Sequence, residues 1–147
     1  MTGQAAGQAW PSGAPPQAPD GLHWELNDVA ELPRMRAEVR RHVDDRALSA
    51  DARGADLRDQ LVLALDEMAS NALRHGGGRV RASIRLVDVS YLIEVSDAAT
   101  SAPPTPAVGR DPSEGGLGLY LIAELASDHG WYVRGGAKHV WALLPRG

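Results

Sequence analysis

The runs RVRASIRLV, residues 79–87, and VSYLIEVSD, residues 89–97, both alternate at a period of two, with Asp88 between them. Successive side chains of a strand point to opposite faces, so the pair predicts a hairpin turning at Asp88 whose partly apolar face needs cover. Helical patterns on both sides can supply that cover. In VAELPRMRAEVRRHVDD, residues 29–45, Leu32, Met35, Val39 and Val43 recur at helical spacing. Asn27 or Asp28 can cap this helix, and Pro33 falls within its first turn or so, where a missing N–H is tolerated. A second helix is expected to begin near Ala55 or Asp56 and to stop at Gly76-Gly77-Gly78. A third, LGLYLIAELASDHG, is expected to stop at Gly130. LHWEL, residues 22–26, alternates like a half-buried strand, and WYVRG with KHVWALLP reads as a closing hairpin around Gly135-Gly136. The order is strand, two helices, two strands, long loop, helix, two strands. Strands joined by short turns imply a mixed, mostly antiparallel sheet with helices on one face, an α+β two-layer sandwich.

A chain of 147 residues with 44% hydrophobic and 23% charged residues fits one soluble domain, here residues 22–147. Residues 1–21, with Pro11, Pro15, Pro16 and Pro19 among small polar residues, have too little apolar surface to offset ordering and read as a flexible tail. The net charge of -4 comes without a Lys/Arg cluster, which argues against direct nucleic-acid binding. Zero cysteine removes disulfides and thiolate chemistry, and the five histidines lack ligand spacing. No apolar run is long enough to span a bilayer and no secretion signal opens the chain, so cytoplasmic residence is expected.

Three polar features carry chemistry. On the second helix, Leu61, Val62, Leu65, Met68, Ala69, Ala72 and Leu73 cover one face, and Glu67, Asn71 and Arg74 line the other. Taken alone, that stripe is the solvated side of an amphipathic helix. Ser70 and Asn71, however, are intrinsically poor choices for mid-helix positions. A carboxylate and an amide at i and i+4 also project together, where one can take a proton and the other can ligate Mg²⁺. Asp97 ends a mostly apolar strand, either as a loop-entry cap or as a fixed acceptor for the exocyclic amine of a base. In EGGLGLYLI, residues 114–122, glycines open a helix, which is a credible phosphate cradle although it fits neither the Rossmann nor the P-loop spacing.

Glu67-x-x-x-Asn71 on a helix, Asp97 ending a strand, a long loop and Gly116-x-Gly118 opening a helix follow one another in a definite order. The set resembles the GHKL ATPase superfamily of gyrase, the Hsp90 chaperone, histidine kinases and MutL, with its Bergerat-type ATP-binding fold. More narrowly, ALDEMASNALRHGGG, VSDAATSAPP, EGGLGLYLIAELASDHGWY and GGAKHVWALLP look like the small anti-sigma-factor serine kinases of Gram-positive bacteria. The resemblance spans residues from about 22 to 147 and implies ATP and Mg²⁺ as ligands. It implies that Asn71 contacts the Mg²⁺ bridging the phosphates, that Glu67 is the base activating the attacking hydroxyl, and that Asp97 accepts from the adenine amino group. It further implies that Gly115, Gly116, Leu117, Gly118 and Leu119 form the helix mouth about the phosphates, under a lid of residues 98–114. Arg74 would approach phosphate, and His75 would be mainly structural. Ala99 replaces a glycine common in the superfamily, and His139 stands where the subfamily often has a threonine that supports the nucleotide. The implied activity is phosphorylation of a serine on a STAS-type anti-sigma-factor antagonist by a homodimer that also binds a sigma factor of RNA polymerase. A nucleotide-binding module of the same fold without transfer, or a detached histidine-kinase catalytic domain, would keep the same motifs.

Overall fold

A computed structural model describes residues 10–45, 52–88, 90–101, 104 and 117–145. In chain order the elements are β1 (Leu22–Leu26), α1 (Leu32–Asp45), α2 (Ala52–Asn71), β2 (Val80–Val87), β3 (Ser90–Asp97), α3 (Leu117–Leu125), β4 (Asp128–Arg134) and β5 (Ala137–Pro145). The strands form one sheet in the order β1-β2-β3-β5-β4, with every neighbouring pair antiparallel. The expected α+β sandwich is present. The expected mixing of strand directions is confined to one isolated parallel contact, between Ser12 and Trp131.

Local chemistry places these elements. Asp28 accepts from the Ala30 N–H at 2.8 Å, and Glu31 Oε1 reaches back to the Asn27 and Asp28 N–H groups at 2.6 and 3.0 Å. This capping box starts a single 3₁₀ turn, Val29–Glu31, that leads into α1. Asp88, at φ 51°, takes the left-handed conformation that turns β2 toward β3. Met35, Val39 and Val43 of α1 and Leu61, Leu65, Met68 and Ala69 of α2 are buried with Val80, Ala82 and Ile84 of β2, Tyr91, Ile93 and Val95 of β3, and Val140, Ala142 and Leu144 of β5. One apolar layer thus holds both long helices to the sheet. The Arg36–Asp66 ion pair, at 2.8 Å, links α1 to α2 but is partly exposed and adds at most about 1 kcal/mol.

Three expectations change. The second helix begins at Ala52, ahead of the position expected from Ala55 or Asp56. The third ends at Leu125, and β4 starts at Asp128, so Gly130 lies inside a strand and stops no helix. The helix stops early because the Ser127 N–H already bonds the Leu143 carbonyl at 2.9 Å. Gly130 answers to packing: a Cβ there would fall 2.9 Å from the Pro11 carbonyl oxygen and 3.0 Å from the Trp141 ring.

That contact exposes the third change. Residues 10–13 of the expected tail lie along the outer edge of β4 as a strap, while residues 1–9 lie outside the described residues. The Trp131 N–H donates to Pro11 O at 3.0 Å, the Gly13 N–H donates to Trp131 O at 2.8 Å, and Trp141 Nε1 donates to Gly13 O at 2.8 Å. Trp10 is 3% exposed and sets its ring edge-on to His129, with centroids 4.7 Å apart. A segment poor in apolar residues is ordered by backbone pairing and one buried indole. Among the described residues no helix is long and apolar enough to cross a membrane.

Candidate functional site

The site is built where α2 ends. Its last residue, Asn71, is followed at once by a π-helical turn, Ala72–Gly76, and Gly77 leaves the helix at φ 68°. Such widened turns are frequent at functional sites because they redirect the chain without ending its hydrogen bonding. Here the turn brings Gly76 against Asp97, so closely that a Cβ on Gly76 would lie 2.3 Å from the Asp97 Cγ. The Ala98 N–H donates to Gly77 O at 3.2 Å, lacing the end of the helix to the end of β3.

Asp97 is 5% exposed. Its Oδ1 accepts from the Ala99 N–H at 2.8 Å, and Lys138 Nζ stands 3.6 Å from Oδ2. One turn before Asn71, the half-buried Glu67 meets the mouth of α3: a Cβ on Gly118 would lie 2.6 Å from Glu67 Oε2. The Asn71 amide nitrogen and the Ser70 hydroxyl are buried with no hydrogen-bond partner. Buried donors are nearly always paired, so an orphaned amide beside a carboxylate marks a place for a polar ligand.

The structure therefore brings Glu67, Asn71 and Gly118 together and joins them to Asp97 through the π turn. Leu117 is the first residue of α3, and the Leu119 side chain is buried in the core. Arg74 and His75 are exposed on the π turn. Gly115, Gly116 and most of the expected lid lie outside the described residues.

Residues 27–143 match the family model described as a histidine kinase-like ATPase domain. The chain belongs to that family. Among solved structures it is similar to the Acinetobacter baumannii histidine kinase AdeS, at 15% identity and a TM-score of 0.43, over 86% of this chain and 68% of that one. No curated protein matches it. As a histidine kinase-like ATPase domain it binds ATP, and the residues around Asn71 fit that ligand. Among the described residues no group of three or more His, Asp or Glu could hold a metal alone. A Mg²⁺ here would take the Asn71 amide oxygen together with phosphate and water, as this ion commonly does.

Two residues at this site carry no signal in local spacing. Spacing marks Gly76 only as part of a helix stop and assigns Lys138 nothing. The alternation of β5 carries the missing signal: Val140, Ala142 and Leu144 face the helices, so Lys138 does too, in register with Asp97. By the same alternation His139 points to the sheet face away from the helices, which agrees with its standing in place of the threonine that supports the nucleotide in the subfamily. Gly76→Ala tests the close approach. Overpacking of this kind costs about 1–3 kcal/mol, and here it displaces the Asp97 carboxylate. ATP affinity measured by calorimetry is expected to fall at least about tenfold, the equivalent of 1.4 kcal/mol; unchanged affinity would refute the role given to this contact.

His139 works on the sheet face away from the helices, where a cavity of about 330 Å³ is lined by Arg81, Arg85, Ser96 and Glu94 among others. Its Nδ1–H donates to Glu94 Oε2 at 2.7 Å, Tyr132 Oη donates to the same oxygen at 2.7 Å, and the two rings stack 4.6 Å apart. Burial works to push the Glu94 carboxyl up. The hydrogen bonds from His139 and Tyr132, with the charges of His139 and Arg85, outweigh it and hold the group below its ordinary value. Burial, and then Glu94 itself, push the Tyr132 phenol far above its ordinary range. A carboxyl depressed in the folded state stabilises the fold above its unfolded pKa, and that contribution is lost as pH falls through the lower folded value. Glu94→Gln is therefore expected to be less stable than the parent at pH 7, with a gap that narrows below about pH 4. Denaturant titrations across pH check this, and a gap constant down to pH 3 would contradict it.

Proposed function

We propose that the chain is an ATP- and Mg²⁺-dependent serine kinase of the anti-sigma-factor type, acting as a homodimer that binds a sigma factor and phosphorylates a serine on a STAS-type antagonist. The observation that carries the reading is the pairing of Glu67, set against Gly118 at the mouth of α3, with Asn71 one turn away, whose amide nitrogen is buried without a hydrogen-bond partner. In this arrangement Asp97 accepts from the 6-amino group of adenine. The orphan N–H groups at the start of α3 face the phosphates, where a helix N-terminus favours negative charge. Mg²⁺ on Asn71 and the phosphates would neutralise charge that builds during transfer. Glu67 takes the proton of the incoming serine hydroxyl as its oxygen bonds to the γ-phosphorus and the bond to the ADP oxygen breaks.

The test is transfer of label from γ-labelled ATP to a purified STAS-type antagonist. Phosphoserine that forms only with Mg²⁺ supports the kinase. ATP binding with no label moved to protein would reduce the chain to a nucleotide-gated binding module.

A further inference from the structure

The sheet face away from the helices is crossed by the chain that follows the strap. Ser12 pairs with Trp131 of β4 at one edge of the sheet, and Leu22 opens β1 at the other. Trp141, on the face away from the helices, donates to Gly13 O, and Asp20 and Gly21 line the cavity on that same face. Residues 14–19 therefore pass over this face, where Leu92 is 0% exposed. The cavity of about 330 Å³ opens beside the crossing and is large enough for a small ligand.

Several polar groups around it have bonding capacity left over. Glu94, its side chain 7% exposed, spends one oxygen, Oε2, on both His139 and Tyr132. Its Oε1 accepts nothing and stays open to the cavity. Arg81 and Arg85 make no hydrogen bond or ion pair among the described residues, while Glu25 at the rim is drawn to Arg79 at 3.7 Å. The register sets these groups in order. Glu94 lies across from Ser83, so Arg81 and Arg85 stand one diagonal step to either side of it, about 7–8 Å away by strand geometry. Ser96, directly across from Arg81, adds a hydroxyl. A buried carboxylate oxygen without a donor is costly, so the middle position calls for an ammonium. The two guanidiniums call for carboxylates, which they bind through paired N–H groups. A simple dianion would leave Glu94 facing another negative charge, and a plain amine would leave both arginines unanswered. We infer that this cavity is a second ligand site, for an acidic α-amino acid, with its ammonium on Glu94 Oε1 and its two carboxylates on Arg81 and Arg85. The site lies on the opposite face of the sheet from Asp97 and does not depend on the kinase reading.

The test is an NMR titration of the full chain, in the presence of Mg-ATP, with L-glutamate and with glutarate, which has the same two carboxylates and no ammonium. L-Glutamate is expected to shift the His139 ring signals saturably, with a dissociation constant of about 1 mM or below, and glutarate to bind at least about tenfold more weakly. Arg81→Gln, at an exposed position, is expected to weaken L-glutamate at least about tenfold, because a carboxylate loses its charged partner. Glu94→Gln is expected to bring the two probes to within about threefold of each other, since the amide offers the ammonium no charge. No saturable shift up to about 10 mM L-glutamate overturns the inference. So do equal affinities for L-glutamate and glutarate in the parent, and an unchanged dissociation constant in Arg81→Gln; these results stand even if Glu94→Gln fails to fold. None of them touches the assignment of Glu67, Asn71 and Asp97, which the label-transfer experiment tests separately.

Discussion

Glu67→Gln is expected to slow phosphate transfer to the antagonist serine by about 10²- to 10⁴-fold, the usual contribution of a positioned general base, while ATP affinity changes less than about threefold. The amide has the shape of the carboxylate, so it keeps the tight contact with Gly118 and the half-buried place on α2. What it lacks is a basic oxygen for the serine proton. In the proposed site the phosphates and the base are held elsewhere, by the α3 mouth, Asn71 and Asp97, so binding has little reason to follow. Single-turnover transfer under saturating Mg-ATP, alongside calorimetric titration of ATP, separates the two effects. Transfer at the parent rate would remove Glu67 from the chemistry, and a parallel loss of affinity would make it a binding residue.

Trp10→Ala is expected to destabilise the fold by about 3–5 kcal/mol, the range for truncating a buried aromatic. For a chain of this size that lowers Tm by roughly 10 °C. The indole is 3% exposed and edge-on to His129, while the backbone N–H of Trp10, which the variant keeps, donates to Pro104 O at 3.2 Å. A second readout follows from the same contact. Burial holds the His129 imidazole below its ordinary pKa, against a smaller opposing pull from Asp128. Removing the indole is expected to move the His129 titration, followed by NMR, up toward the ordinary value. A variant with unchanged Tm and unchanged His129 titration would show that the strap contributes nothing to stability.

What the sequence disclosed was mostly local. The hairpin at Asp88, the Asp28 cap and the i, i+4 placement of Glu67 and Asn71 each depend on residues within one or two turns of chain, where spacing dictates geometry. The misreadings share a different origin. Gly130 reads as a helix stop because its true reason, the approach of Pro11 and Trp141, comes from residues distant in sequence. The strap reads as a tail because composition records apolar area and is blind to an edge strand waiting to be paired. Lys138 acquires meaning only in register with Asp97, and Gly76 only once the π turn folds it onto that carboxylate. The resemblance to anti-sigma-factor kinases supplied roles for Asp97 and the glycines of the α3 mouth that spacing alone left open.

The strap has a consequence for the order of assembly. Ser12 pairs with Trp131, so its segment, made well before that partner, can be placed only after β4 exists. At about 5–20 residues per second, ribosomal synthesis separates the two by on the order of ten seconds. Through that interval Trp10 has no seat. Closing so long a loop carries the largest entropic cost of any contact described here, and a few backbone bonds and one indole offset it. The strap is therefore the last piece to dock and the first to leave, a latch that completes the sheet after the rest has folded.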